Sequence, residues 1–386
     1  MSSRTRATTL ILSLTLLVGA GLGPAGADDA LPSDAVELMD AAELEAVRDR
    51  VGELVRAQAD EVSGTGAVQG TDHPWVDRIS GPDRYATAAA LSTFWSEVVW
   101  PEVFTQQVVL VASGESFPDA LSGGPLATML TGPILLTQKN ALPAPTKEAL
   151  TQLRPGLILV LGGTGAISAG VQAELEQFVT HPSLVSRIDG GDRYEVSAKI
   201  ANHWDGAGRV YVASGEAWPD GLAGGAAAGA HHQGVPLLLT KPGDVPTRVM
   251  EVLRKLRPYE IVVVGGPGSV GDAAVKELQT VAPVQRVSGT DRYATAAGVA
   301  RDGINYHGAT MASGLNWPDA LAGSAFAGLT GDKLLLLRPT GVPGATSKAV
   351  TDLDLGWITV LGGVKSVPEP VLDQLRMLEV EVPSVR

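Results

Sequence analysis

The 386-residue chain contains no cysteine. That excludes disulfides, thiolate metal sites, a cysteine nucleophile and a lipid-modified cysteine anchor. Histidine is scarce as well. His73, His181, His203, His231, His232 and His307 show no recurring placement and no metal-ligand spacing, so no metal and no cofactor is expected. Aromatic residues make up only 5% of the chain, which makes any aromatic at a recurring position informative. Positive charge is in the minority, with 29 Lys and Arg against 42 acids and a net charge of −13. Bulk attraction to nucleic acid or to an anionic membrane is thereby disfavoured. No run of 18 apolar residues follows residue 30, so no internal membrane-spanning helix is expected. Glycine (46) and proline (25) are plentiful, beside 45% hydrophobic and 18% charged residues. This is the composition of a packed chain of roughly two to four domains with short elements and many turns.

Residues 1–27 read as a secretory signal peptide. Arg4 and Arg6 precede an apolar stretch over 10–22, and Ala25-Gly26-Ala27 forms a small-x-small cleavage site before Asp28. The expectation is a protein that works outside the cytoplasm, with no membrane attachment after cleavage. Residues 33–61 carry Leu44, Val47, Val51 and Leu54 at helical spacing, with acids crowding the N-terminal half. Residues 63–74 are a Gly- and Ser-containing linker, so 28–75 is expected to hold a helix and a linker. A protein partner for that helix is left open.

Beyond residue 75 one unit is written three times at a period near 100. Arg78-Ile-Ser-Gly-Pro-Asp-Arg84-Tyr85 returns as Arg187-Ile-Asp-Gly-Gly-Asp-Arg193-Tyr194 and as Arg286-Val-Ser-Gly-Thr-Asp-Arg292-Tyr293. Ala112-Ser113-Gly114 with Phe117-Pro118-Asp119 recurs with Ser214, Trp218 and Asp220, and again with Ser313, Trp317 and Asp319. Apolar runs at 134–137, 237–240 and 334–337 follow, and then the pairs Gly162-Gly163, Gly265-Gly266 and Gly362-Gly363. Each Ala-Ser-Gly alanine precedes the first glycine of its pair by 50, 52 and 50 residues.

Within a unit, the apolar runs 108–112, 134–137 and 157–161 predict strands buried on both faces, as parallel strands are. The stretches 118–130, 145–153 and 168–178 between and after them predict helices, giving an α/β module with right-handed crossovers. The expected modules are 76–184, 185–284 and 285–386. Every recurring polar motif follows a strand, and ligands of open α/β sheets sit outside the carboxyl ends of the strands. The motifs are therefore expected to converge on one edge of each module.

Taken together, the R-[IV]-[SD]-G-x-D-R-Y and A-S-G-x-x-[FW]-P-D-[AG]-L stretches, the apolar triplet and the Gly-Gly pair resemble the cell wall binding repeat 2 family. The resemblance covers about 310 residues. It implies a Toprim-like parallel-sheet fold for each copy, three copies packed with pseudo-threefold symmetry, and a protein of the Gram-positive wall or cell surface. The implied partner is an anionic secondary cell-wall polymer or polysaccharide, held non-covalently. The chain departs from the pattern in places. The first copy has a longer stretch between Asp83 and Ala112, the second has Glu195-Val196-Ser197 and Gly221, and the third has Lys333 where the others have proline.

The recurring arginines Arg78, Arg84, Arg187, Arg193, Arg286 and Arg292 suit phosphate or uronate groups through paired charge-assisted bonds. Salt bridging at a helix start or between modules is the alternative. Tyr85, Tyr194, Tyr293, Trp218 and Trp317, with Phe117, could stack on sugar rings or could pack between modules. Asp119, Asp220 and Asp319 beside Ser113, Ser214 and Ser313 complete the expected polymer-binding set. The same aspartates are the basis of the rival reading, a secreted hydrolase of wall glycans. A serine nucleophile lacks its base, because no histidine recurs near these motifs. Gly162-Gly163-Thr164-Gly165 lacks the spacing of a phosphate-binding loop and reads as a tight turn.

Overall fold

The computed structural model describes residues 73–100, 107–231, 234–302 and 307–380. The expected signal peptide and N-terminal helix, and His232, lie outside the described residues. The first copy forms β1 (Trp75–Ile79), α1 (Arg84–Phe94), β2 (Val108–Ser113), α2 (Gly123–Met129), β3 (Ile134–Thr137), α3 (Ala144–Leu153), β4 (Leu157–Leu161) and α4 (Ala169–Leu175). The second repeats the series as β5 (Val185–Ile188), α5 (Arg193–Ala201), β6 (Arg209–Ser214), α6 (Trp218–Ala230), β7 (Leu237–Thr240), α7 (Thr247–Leu256), β8 (Glu260–Val264) and α8 (Asp272–Leu278). The third runs β9 (Val284–Val287), α9 (Arg292–Asp302), β10 (Gly308–Ser313), α10 (Pro318–Thr330), β11 (Lys333–Leu337), α11 (Gly344–Asp352), β12 (Trp357–Leu361) and α12 (Glu369–Arg376). The alternation of strand and helix expected from the apolar runs is the one observed.

The strands assemble into three parallel four-stranded sheets, ordered β3-β2-β4-β5, β7-β6-β8-β9 and β11-β10-β12-β1. Sequence repeat and sheet are thus out of phase by one strand. β5 and β9, which open the second and third repeats, complete the sheets of the repeats before them. β1 pairs along β12, from Trp75 opposite Trp357 to Ile79 opposite Leu361, and so completes the third sheet from the start of the first repeat. The three copies form a closed ring of strand donation. The offset has a local cause. A short connection joins α4 to β5 and α8 to β9, which leaves each new strand beside the strand it has just followed.

All residues of β2, β3 and β4 are buried, because helices cover both faces of a parallel sheet. α2, α6 and α10 pack on one another at the centre of the ring. Leu121, Leu222 and Leu321 occupy equivalent positions there, are at most 1% exposed, and belong to one continuous apolar core. Burying each leucine contributes about 1.5–3 kcal/mol. Thr128, Gly229 and Gly328 are equivalents one helical stretch further on, where a Cβ on Gly229 would lie 3.1 Å from the Gly328 Cα. Glycine is needed there because two helix backbones meet.

The helix expected over 118–130 is interrupted. A 3-10 turn covers Pro118–Ala120 and α2 starts only at Gly123, whereas α6 and α10 are continuous over 13 residues. Pro125 is the cause, since its ring would clash with the carbonyl four residues back in a continuous helix. The second and third copies have Ala226 and Ala325 at that place. The longer first crossover continues α1 into a π-helical turn, Trp95–Val99. It packs Phe94 against Phe326 of the third copy at 5.0 Å between ring centroids, and Trp100 Nε1 donates to the Thr131 carbonyl at 3.1 Å.

Candidate functional site at the copy junctions

The aspartate of each Asp-Arg-Tyr motif caps the helix that follows. Asp83 accepts from the Ala86 N–H, Asp192 from those of Tyr194 and Glu195, and Asp291 from that of Ala294. The arginine that follows each cap is the first residue of its helix and points back across the sheet edge. Nη1 of Arg84, Arg193 and Arg292 donates to the carbonyl of Gly114, Gly215 and Gly314 at 2.5, 2.6 and 2.6 Å. The tyrosine beside each arginine lies on the same glycine. A Cβ on Gly114, Gly215 or Gly314 would come within 2.5, 2.6 or 2.5 Å of the ring Cε1 of Tyr85, Tyr194 or Tyr293. Only glycine admits the ring.

The first arginine of each motif serves the neighbouring turn. Arg78, Arg187 and Arg286 donate through Nη1 to the carbonyls of Gly362, Gly162 and Gly265 at 2.5, 2.6 and 2.7 Å. These glycines have φ of +101°, +99° and +111°, a region that disfavours a side chain. Asp319, Asp119 and Asp220 press against them. A Cβ on Gly162 would lie 2.8 Å from the Asp119 Oδ2, and one on Gly265 would lie 2.5 Å from the Asp220 Oδ2. Burial pushes all three carboxylates up from their usual range. The arginine of the following copy pulls each back: Arg193 for Asp119, Arg292 for Asp220 together with the Ser269 hydroxyl, and Arg84 for Asp319 together with that of Thr87.

The aromatic residues follow the same pairing across copies. The Arg84 guanidinium lies 5.9 Å from the ring centroid of Trp317, and that of Arg292 lies 5.3 Å from Trp218. Phe117 and Trp317 meet at 5.9 Å, tilted by 60°. Each junction therefore joins the aromatic-Pro-Asp corner of one copy to the Asp-Arg-Tyr corner of the next. Copy three joins copy one through β1 on β12, through Phe94 on Phe326 and through the central helices.

Ser113, Ser214 and Ser313 are at most 2% exposed. Their Oγ atoms accept from backbone N–H groups of Glu115 and Ser116, of Glu216, and of Leu315. These bonds tie the three serines into the strand-ending turn. The structure also adds residues that repetition hid. Arg338 lies 4.5 Å over the Tyr293 ring, while Glu115 and Glu216 stand near Tyr85 and Tyr194. These positions differ between copies, so a search for recurrence passes over them. Their place just after a strand was the available signal. Among the described residues no cluster of acids and histidines could hold a metal, and no helix is long and apolar enough to cross a membrane.

Closed strand donation and three like junctions define the class: a pseudo-threefold protein of tandem parallel α/β repeats. The chain belongs to the cell wall binding domain 2 family, whose model matches residues 78–172, 187–275 and 286–372. Over 309 residues it is 28% identical to the amidase enhancer of Bacillus subtilis, covering 80% of this chain and 41% of that protein. Over 303 residues it is 25% identical to N-acetylmuramoyl-L-alanine amidase LytC of Bacillus subtilis, covering 78% of this chain and 58% of that one. The structure of Cwp6 from Clostridium difficile matches with a TM-score of 0.72 at 24% identity, over 83% of this chain and 51% of that chain. The chain spans about half the length of these relatives.

Proposed function

We propose that this chain attaches non-covalently to an anionic polysaccharide of the bacterial cell wall, and that it does so without cutting the wall. Family membership supports binding to the wall. The observation that supports an anionic ligand is the junction itself: at all three an arginine has one N–H donor on a glycine carbonyl near the carboxyl ends of parallel strands, and at two of them a tryptophan ring of the preceding copy lies under that arginine. Arginine has five donors, so the same side chain can hold the junction and still meet a phosphate or carboxylate. A protein at −13 needs such local positive points to hold a polyanion. The aspartates favour the non-catalytic reading. Each is packed on the Gly-Gly turn of its own copy and within the field of the next copy's arginine, whereas glycoside cleavage calls for two carboxyl groups flanking one bond. Family membership and the secretory signal expected at residues 1–27 support a working location in the wall or at the cell surface.

The test is co-sedimentation of the full chain with purified Gram-positive walls before and after chemical removal of the secondary polymers. Sedimentation with intact walls only, with no reducing ends or peptides released, is the expected result. Equal sedimentation with stripped walls would make peptidoglycan the ligand, and steady release of fragments would make the chain a hydrolase.

A further inference from the structure

The three junctions share a frame but not a rim. The residue after each Ala-Ser-Gly turn is Glu115, Glu216 or Leu315. The two glutamates are exposed and bear on the tyrosine of their own copy. After burial, the nearby charge of Glu115 is the largest influence raising Tyr85, and that of Glu216 the largest raising Tyr194. Leu315, 64% exposed, puts no charge in that place. The residue after the third strand of each copy runs Gln138, Lys241, Arg338. Gln138 is uncharged and stands near Tyr85, and Lys241 stands 3.6 Å from Asp244. Arg338 instead stacks over Tyr293 and reaches the Asp291 Oδ2 at 3.3 Å.

Tyr293 in turn rests on Gly314, the glycine whose carbonyl takes Arg292. Arg292 and Arg338 are thus brought together around one tyrosine, with Trp218 under Arg292 and no glutamate on the rim. The acids that remain are occupied. Asp291 caps α9 and meets Arg338, while Asp220 is buried against Gly265. Among the described residues each of the two arginines donates one side-chain hydrogen bond to the protein, Arg292 to Gly314 and Arg338 to Asp291. Most of their donors stay available to a ligand.

We propose that the junction between the second and third copies is the principal anion subsite of the chain. It takes a phosphate or carboxylate group carried on a sugar, with Arg292 and Arg338 on the anion and the exposed Leu315 against the apolar face of the ring. This rests on the polymer-binding reading above and names the part of the surface that carries it. The other two junctions set an exposed glutamate near the tyrosine that adjoins their arginine, and like charge there disfavours the same anion.

The test titrates the full chain, labelled with 15N at arginine, with glucuronate and separately with glucose 1-phosphate. Side-chain Nε–H signals of Arg292 and Arg338, assigned through Arg292→Lys and Arg338→Gln, are expected to shift at concentrations at least tenfold below those of Arg84 and Arg193. The probe that binds more tightly tells carboxylate from phosphate. Leu315→Glu, a change at an exposed position, should weaken the response of Arg292 and Arg338 about tenfold, the worth of one charge-assisted contact. Equal responses at all three junctions, no response to either probe, or indifference to Leu315→Glu would overturn the proposal. The readout is a small anion on the protein alone, so it separates the two readings. A chain that sediments with walls but responds equally at its junctions keeps the first and loses the second.

Discussion

At the scale of the residue, the repeated arginines act as clamps on backbone carbonyls, and a second asymmetry between copies lies in the buried pair Asp332 and Lys333. Lys333, which replaces the proline of the other copies, is 4% exposed, and burial pulls its ammonium down to about 8. Its neighbour Asp332 accepts from the Thr310 hydroxyl at 2.9 Å and is pushed by burial up to about 6. A carboxyl group held above its unfolded value stabilises the fold fully below pH 3.8 and loses that contribution as pH rises through about 6. The stability of the protein relative to Asp332→Asn, which cannot titrate, should therefore be greatest near pH 4 and decline by pH 7. Urea unfolding of both proteins at the two pH values measures it. Removing one member of such a pair costs more than removing both. Lys333→Met alone should lose about 1–3 kcal/mol at pH 7, whereas Lys333→Met with Asp332→Asn should come within about 1 kcal/mol of the parent.

At the scale of the element, the central helices decide how closely the copies approach. Alanine favours a helix over glycine by about 0.8–1 kcal/mol, so Gly229→Ala would stabilise α6 in isolation. In the ring its Cβ would meet the Thr128 Oγ1 at 2.7 Å and the Gly328 Cα at 3.1 Å. The latter is backbone and cannot rotate away. The expected outcome is a destabilisation of about 1–3 kcal/mol, as overpacking of a close contact costs. A fall in calorimetric Tm with helix content unchanged by circular dichroism would show it. A rise in Tm would mean that the helices are further apart than described. The break in α2 belongs to the same scale. Pro125 stands in the sequence, but a motif equivalent to two continuous helices concealed its effect.

At the scale of the whole molecule, no copy owns a complete sheet. The fragment 185–284 carries β5, which belongs to the first sheet, and retains only the first residue of β9, which completes its own. It should not fold alone, and the described body should unfold in a single calorimetric transition. Starting the chain at residue 84 removes β1, leaves the Trp357–Leu361 edge unpaired, and takes Arg78 away from the Gly362 carbonyl. That truncation should lower the Tm of the whole ring and promote association through the open edge. Separate transitions for the three copies, or a well-folded isolated fragment, would contradict this account.

The α/β class, the three copies and the strand-ending position of the motifs were legible in the sequence, because apolar runs, turn residues and recurrence are local properties. Recurrence marked the six arginines, the three aspartates and the aromatic residues, and left open whether they hold a ligand or the protein. What only the tertiary structure decided is which copy each one faces. The charge of Arg292 from the next repeat acts on Asp220, and that of Arg84 from the first acts on Asp319, across more than two hundred residues of chain. The closing of the ring was equally out of reach: short connections leave β5 and β9 beside the strands they follow, but β1 and β12 lie in the first and third repeats and meet only in the folded chain. Arg338 shows the limit best. It is unremarkable in the sequence and differs from its counterparts Gln138 and Lys241, and it gains significance only because folding sets it on Tyr293 beside Arg292.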